Sequence, residues 1–281
     1  MSPATGGARS GKRASAAARI TAVTAAATLV FAVLAGCSTG SGDGGGGGDA
    51  SASSSGGDRT LRVSAAASLT KSFDELSQDF EKDHPGVHVD VNYGGSSSLV
   101  QQLTEGAPAD VFASADEKNM EKLTDAGLAK GEPEVFATNV LTLVVPEGNP
   151  AGIKSFQDVV DKDVKLVTCA PEVPCGAATE KVEKADGVTL KPVSQENAVT
   201  DVLGKVTSGQ ADAGIVYVTD AKSAGDEVET IDIPKADEAV NKYPVVALDK
   251  AQDPELAKEF VDLVTGERGQ KVLKDAGFGA P

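Results

Sequence analysis

The chain has 281 residues, and 26 lysines and arginines stand against 42 aspartates and glutamates, which gives a net charge of −16 at pH 7. A protein this acidic repels the phosphates of nucleic acid, so we expect no nucleic-acid partner. The sequence has two histidines and contains no HExxH, CxxC, P-loop or GxSxG motif. Metalloenzyme and hydrolase templates therefore lack their central groups, and we predict neither an enzyme nor a bound cofactor.

Residues 1–36 have the pattern of a secretory signal peptide. They contain four basic residues and no acidic one, and an apolar run over residues 20–36 precedes Cys37. The tetrapeptide that ends at Cys37, Leu-Ala-Gly-Cys, resembles a bacterial lipobox. This resemblance implies cleavage before Cys37, lipidation of that cysteine and anchoring at the extracytoplasmic face of the cell membrane. The alternative is an uncleaved anchor helix.

A linker follows over residues 37–59, beginning with the lipidated cysteine. It consists mainly of Gly, Ser, Ala and Asp, so it buries too little apolar surface to fold and is expected to act as a flexible tether. We place the start of the folded part at Thr60. Loss of residues 1–36 leaves 22 basic and 42 acidic residues, a net charge of −20. An anion therefore gains nothing from the long-range field of the mature protein.

The folded part alternates strand-like and helix-like segments. A strand over residues 61–67 precedes Leu69, Phe73, Leu76 and Phe80, whose spacing indicates an amphipathic helix. The alternation predicts an α/β fold with mostly parallel sheets, either one doubly wound domain or two lobes. We predict further strands near residues 87–91, 111–114, 140–145, 164–168, 214–218, 228–233 and 244–248, and helices around 99–103, 120–123, from about 176, over 196–206 and twice at the C terminus.

Two strand-to-helix junctions are rich in small and hydroxyl residues, AAASL at 65–69 and GGSSS at 94–98. A helix start presents free backbone N–H groups and a positive dipole end, and in open α/β sheets the ligand crevice lies beyond the carboxyl ends of the strands. These junctions therefore favour an acceptor-only anion as the ligand. The alternative is that Ser68 and Ser96 are only helix N-caps.

Five motifs occur in an order that resembles the periplasmic molybdate-binding proteins: AAASL, GGSSSL, APADVFASAD at 107–116, PEVPCG at 171–176 and GIVY at 214–217. The resemblance covers residues 61–281. It implies a type II periplasmic-binding-protein fold, in which two α/β lobes with mostly parallel sheets are joined by two crossing strands.

The resemblance also implies where the lobes divide. The crossing strands are expected near residues 138–143 and 242–248. Lobe 1 then comprises residues 60–139 and 245–281, and lobe 2 comprises residues 140–244.

The same resemblance implies a ligand and the residues that hold it. The hydroxyls of Ser68, Ser96 and Tyr217 and the backbone N–H groups of Cys175 and Ala198 bind an oxyanion without a counter-charge. The implied ligand is molybdate, with tungstate as a second, and a monomeric protein delivers it to the membrane permease of an ABC importer. The alternative for Tyr217 is a core aromatic residue.

A shell of donors alone suits a fully deprotonated dianion, because a protonated phosphate needs an acceptor for its hydrogen. Sulfate has the same charge and shape as molybdate, so it stays an alternative ligand. A metal-chelate binder is a further alternative, for which three tyrosines and His84 and His88 make a poor ligand set. We interpret Asp110 and Asp116 as structural, since a carboxylate in the pocket would repel an anion.

Two cysteines remain once Cys37 is assigned to the lipid. Cys169 and Cys175 form an even pair in an oxidising compartment, which favours a disulfide. Two free thiols are the alternative. In the family that the chain resembles, alanine is common at the position of Cys175, so this pair is a departure from its pattern.

Overall fold

The computed structural model describes residues 59–281. Two five-stranded sheets form the centres of two lobes, and helices cover them. The helices and strands are β1 Arg59–Ala66, α1 Thr70–Asp83, β2 Val87–Gly94, α2 Ser96–Thr104, β3 Val111–Ala113, α3 Glu117–Asp125, β4 Glu134–Asn139, β5 Leu141–Pro146, α4 Phe156–Asp161, β6 Leu166–Cys169, α5 Pro174–Asp186, β7 Ser194–Glu196, α6 Val199–Thr207, β8 Ala213–Tyr217, α7 Val218–Ala224, β9 Val228–Ile231, β10 Asn241–Ala247, α8 Pro254–Thr265 and α9 Glu267–Ala276.

The two sheets have the same plan. The order is β2-β1-β3-β10-β4 in lobe 1 and β7-β6-β8-β5-β9 in lobe 2. In each sheet four strands share one direction, and a single strand, β10 or β5, runs against its two neighbours. This arrangement is the predicted α/β architecture with mostly parallel sheets, in its two-lobed form.

Each lobe buries its own apolar core. In lobe 1, Phe73, Phe80 and Phe260 meet edge to face beneath α1 and α8, with ring centroids 5.9 Å and 5.4 Å apart. A separate cluster in lobe 2 packs β5, β6 and β8 against α5 and α6, with Val144 and Val202 fully buried. The middle strand of each sheet, β3 or β8, is apolar and buried along its whole length, as expected where helices cover both faces of a sheet.

Two crossings join the lobes. The chain leaves lobe 1 between β4 and β5, through Val140, and returns through a 3₁₀ turn, Ala236–Ala239, and Val240 into β10. β4 and β10 pair side by side, with Asn139 opposite Asn241. The ladder shifts register between Tyr243 and Pro244.

The second crossing strand predicted near residues 242–248 overlaps β10. β10 already belongs to the first sheet at Asn241, whereas the sequence-based boundary placed lobe 1 from Val245 onward. At the other end, Arg59, counted with the linker, is the first residue of β1.

The signal peptide, the lipidation at Cys37 and the linker fall before residue 59 and so lie outside the described residues. Within residues 59–281, every helix is too short or too polar to cross a bilayer.

Candidate functional site

Helix starts from both lobes meet at one small cavity. Lobe 1 contributes the 3₁₀ turn after β1 and the start of α2, and lobe 2 contributes the starts of α5 and α6 and the end of β8. The lining residues are Ala66, Ala67, Ser68, Gly94, Gly95, Ser96, Ala115, Val173, Pro174, Cys175, Val199 and Tyr217. The structure thus brings Ser68, Ser96, Cys175 and Tyr217 together.

All twelve lining residues are uncharged. The first-turn N–H groups of a helix have no acceptor within that helix, and they carry the positive end of its dipole. Several such ends converge here, so the cavity is rich in hydrogen-bond donors although it contains no cation. Neutral donors of this kind suit an anion that can only accept hydrogen bonds.

The two serines are not N-caps. The N-cap residues of α1 and α2 are Leu69 and Gly95, and neither makes a side-chain capping bond. Ser96 is instead the first residue of α2, fully buried, and its Oγ accepts a hydrogen bond of 3.0 Å from the Ala115 N–H. The Oγ of Ser68, in the 3₁₀ turn, lies 3.0 Å from the hydroxyl of Tyr243. Both hydroxyls are therefore held by contacts from distant parts of lobe 1.

Tyr217 ends β8 and is 1% exposed. Its phenol oxygen accepts a hydrogen bond of 3.0 Å from Nδ2 of Asn241. Burial, together with the nearby Tyr243 phenol and the carboxyls of Asp116 and Asp220, holds the pKa of Tyr217 well above its ordinary value. The phenol therefore keeps its proton and acts as a donor at every physiological pH. Tyr217 is both a buried aromatic residue and a lining residue of the cavity.

Cys175 is the second residue of α5, so its backbone N–H is one of the helix-start donors. The structure joins it to Cys169, at the end of β6, in a disulfide with the Cα atoms 5.7 Å apart. The next residue packs very closely, because a Cβ at Gly176 would lie 1.9 Å from the carbonyl oxygen of Ala170. The disulfide and this packing fix the start of α5 against the end of β6.

Ala198 is placed differently from the other predicted residues. It is the N-cap of α6, and the cavity is lined by its neighbour Val199. Ala198 itself is 9% exposed.

Three residues near the cavity were missed by the sequence analysis: Asn139, Asn241 and Tyr243. All three are at most 5% exposed, and their side chains connect the hinge strands to the cavity hydroxyls. Isolated asparagines at strand ends carry no local signal, and their partners include Thr219, 80 residues from Asn139, and Ala115, 126 residues from Asn241.

A buried acid lies just behind the cavity. Asp220 accepts a hydrogen bond of 3.0 Å from the Tyr217 N–H. Burial raises the pKa of Asp220 to about 7, against the opposing effect of that hydrogen bond.

The acids of APADVFASAD have structural partners, as interpreted from the sequence. Asp110 accepts hydrogen bonds from the N–H groups of Arg62 and Gln252, and Asp116 caps α3 through the Asn119 N–H. Within residues 59–281, His, Cys, Asp and Glu side chains form no cluster of three or more that could hold a metal ion.

Two lobes that enclose an uncharged, donor-lined cavity at their hinge define a binding protein for a small anionic solute. The bacterial extracellular solute-binding protein family matches residues 61–279, and the chain belongs to this family.

The sequences of individual relatives align with most of this chain. The molybdate-binding protein ModA of Mycobacterium tuberculosis is 46% identical over 225 residues, which cover 80% of this chain and 86% of the relative. ModA of Haemophilus influenzae is 32% identical, covering 78% and 89%. The resemblance to molybdate-binding proteins seen in the motifs is thereby confirmed.

Solved structures agree on the fold. The periplasmic molybdate-binding protein of Azotobacter vinelandii superimposes with a TM-score of 0.68 at 24% identity, covering 79% of this chain and 99% of that one. The sulfate-binding protein SubI of Mycobacterium tuberculosis gives 0.65 at 22% identity, covering 78% and 86%. The predicted periplasmic-binding-protein fold is confirmed.

Proposed function

We propose that this protein binds a tetrahedral oxyanion dianion between its lobes, with molybdate as the principal ligand and tungstate as a second. The observation that carries the proposal is the uncharged cavity at which helix starts and hydroxyls from both lobes converge. The 46% identity to a protein named for molybdate binding supports the choice of ligand.

The ligand shell that we propose consists of donors only. Ser68, Ser96 and Tyr217 donate their hydroxyl hydrogens, and Cys175 and Ala198 donate backbone N–H groups. Ala198 is the N-cap of α6 beside the lining residue Val199, which puts its N–H at the same helix start. Hydrogen bonds from such donors to a charged acceptor are worth about 1.5–3 kcal/mol each. They offset the unfavourable long-range field of the acidic chain.

Ligand binding and lobe closure are coupled in this proposal. Donors lie on both lobes, so the anion receives its full set of hydrogen bonds only when the lobes are closed around it. Asn241 already bridges the lobes through the Ala115 carbonyl oxygen and the Tyr217 phenol. The closed form then delivers the anion to the permease of an ABC importer.

The remaining features concern location and assembly. We propose that the mature protein begins at a lipidated Cys37, is held at the extracytoplasmic face of the cell membrane by that anchor, and works as a monomer. The extracellular solute-binding family to which the chain belongs supports the location.

Sulfate is the competing ligand, because a protein named for sulfate binding from Synechococcus elongatus is 27% identical over 70% of this chain. Sulfate and molybdate have the same charge and shape, so the protein can distinguish them only by the size of its closed cavity.

Isothermal titration calorimetry of the mature protein with molybdate, tungstate, sulfate and phosphate tests the proposal. We expect molybdate and tungstate to bind most tightly and phosphate weakly or not at all. Sulfate binding as tightly as molybdate would replace the ligand that we propose. Absence of binding to all four would overturn the function.

A further inference from the structure

Two asparagines face each other on the hinge strands, and backbone partners fix the orientation of both amides. Oδ1 of Asn139 accepts a hydrogen bond of 3.0 Å from the Val140 N–H, so its Nδ2 is the atom that faces Thr219 and Tyr243. Nδ2 of Asn241 donates a 2.7 Å hydrogen bond to the Ala115 carbonyl oxygen, so its nitrogen is also assigned.

Each amide nitrogen has two hydrogens, and both are used. Asn139 donates to the Thr219 hydroxyl at 2.8 Å and to the Tyr243 phenol at 3.4 Å. Asn241 donates to the Ala115 carbonyl oxygen and, at 3.0 Å, to the Tyr217 phenol. The oxygens of both phenols are therefore acceptors toward the hinge, and each phenol must direct its own hydrogen elsewhere.

Tyr243 also contacts Ser68. The two hydroxyl oxygens are 3.0 Å apart, so Tyr243 links the Asn139 amide to Ser68, and either hydroxyl can be the donor in this pair. The Ser96 oxygen accepts a hydrogen bond from the Ala115 N–H. Ser68, Ser96 and Tyr217 are thus each held by a contact within the protein, and all three residues line the cavity.

We propose that Asn139 and Asn241 are positioning residues that hold the cavity hydroxyls of Ser68 and Tyr217 in place for the ligand. This inference rests on the proposed function and extends it. Asn241 acts directly on Tyr217, and Asn139 acts on Ser68 through Tyr243.

The cost of this arrangement is visible at Asn241. Among residues 59–281, its Oδ1 is one of three buried side-chain atoms without a hydrogen-bond partner. A buried polar atom without a partner is unfavourable and calls for a compensating role. Directing Nδ2 toward Tyr217 and Ala115 is that role.

A double-mutant cycle tests the inference, with Asn241→Ala and Tyr217→Phe made singly and together in the mature protein. Molybdate affinity is measured by calorimetry, and the melting temperature is measured without ligand. We expect Asn241→Ala to weaken binding about tenfold or more in the wild-type background, and by less than about threefold when Tyr217 is already Phe.

A purely structural role for Asn241 gives a different pattern. The loss of affinity would then be equal in both backgrounds, and that result would overturn the inference. Failure of the wild-type protein to bind any tetrahedral oxyanion would overturn the proposed function itself, and this inference with it.

A second pair of variants covers the case in which Asn241→Ala does not fold. Asn241→Asp keeps the side-chain volume. Its carboxylate accepts the phenol hydrogen of Tyr217, and that hydrogen then points away from the cavity. Asn149→Asp is the matched control, since Asn149 binds only the backbone of Ile153 in a loop of lobe 2. We expect at least tenfold weaker molybdate binding for Asn241→Asp than for Asn149→Asp. Equal affinities would contradict the proposal.

The contact between Asn139 and Ser68 through Tyr243 is tested separately. Tyr243→Phe removes the link between Asn139 and Ser68 without changing either residue. We expect it to weaken molybdate binding severalfold in the wild-type background and to have little further effect in Ser68→Ala. If Tyr243→Phe and Ser68→Ala had additive effects on the binding free energy, the role proposed for Asn139 would be refuted.

Discussion

Gly95 offers a direct test of lobe closure, because its contact with lobe 2 leaves no room for a side chain. A Cβ at this position would lie 2.0 Å from the carbonyl oxygen of Asn197 and 3.2 Å from its carbonyl carbon. The backbone of Gly95 has φ −64° and ψ 135°, which alanine adopts without strain. Gly95→Ala is therefore compatible with lobe 1 alone and incompatible only with the closed arrangement.

The loss of molybdate affinity expected for Gly95→Ala follows from the distance between the added Cβ and the Asn197 carbonyl oxygen. Carbon and carbonyl oxygen approach no closer than about 3.3 Å, so the lobes must separate by more than about 1 Å at this point. Hydrogen bonds of 2.7–3.2 Å that span the cavity do not survive such a shift. Loss of even one charge-assisted bond costs about 1.5–3 kcal/mol, which corresponds to roughly 10- to 150-fold in affinity.

Calorimetry and small-angle X-ray scattering measure the two consequences. We expect Gly95→Ala to bind molybdate at least tenfold more weakly and to stay more expanded when the ligand is saturating, while its ligand-free unfolding free energy changes by about 1 kcal/mol or less. Gly204→Ala, in the middle of α6 with no atom within 4 Å of the added Cβ, is the control. Wild-type affinity together with wild-type compaction in Gly95→Ala would refute the reasoning.

Three further outcomes are expected. Ser96→Ala and Tyr217→Phe should each weaken oxyanion binding by about 1.5–3 kcal/mol in calorimetry; unchanged affinity in both would remove the proposed ligand shell. Replacing Cys169 and Cys175 with serine should lower the free energy of unfolding by about 2 kcal/mol in denaturant titrations, because the disulfide closes a short loop. The same replacement should weaken oxyanion binding at the start of α5. No change in either the unfolding free energy or the affinity would contradict this. The protonated Asp220 carboxyl stabilises the fold fully below its unfolded-state pKa of 3.8, and this stabilisation is lost as the pH rises to about 7. Asp220→Asn should therefore flatten the fall in ligand-free melting temperature between pH 5 and 8. Parallel melting-temperature curves for the variant and the wild-type protein would contradict this expectation.

Local pattern predicts most of the fold. The strand predicted over residues 61–67 overlaps β1, and the helix predicted through Phe73 and Phe80 is α1. Short elements such as α4 and β7 were missed, because six or three residues carry too little periodicity to detect.

The site was predictable only in part. Motif order locates Ser68, Ser96, Cys175 and Tyr217, and the structure gathers all four around one cavity. The serines were open to an N-cap interpretation because local sequence does not reveal that their partners are Tyr243 and Ala115. The hinge asparagines were invisible for the same reason: their role depends on the pairing of β4 with β10, which is a long-range contact.

In the mode of binding that we propose, neutral donors alone hold the dianion between the lobes. A crystal of the mature protein grown with molybdate, with anomalous diffraction measured at the molybdenum edge, would locate the anion. We expect a single anomalous peak in the cavity, with the anion oxygens within about 3 Å of the hydroxyls of Ser68, Ser96 and Tyr217. A peak elsewhere, or an anion in contact with a lysine, an arginine or a carboxylate, would contradict it.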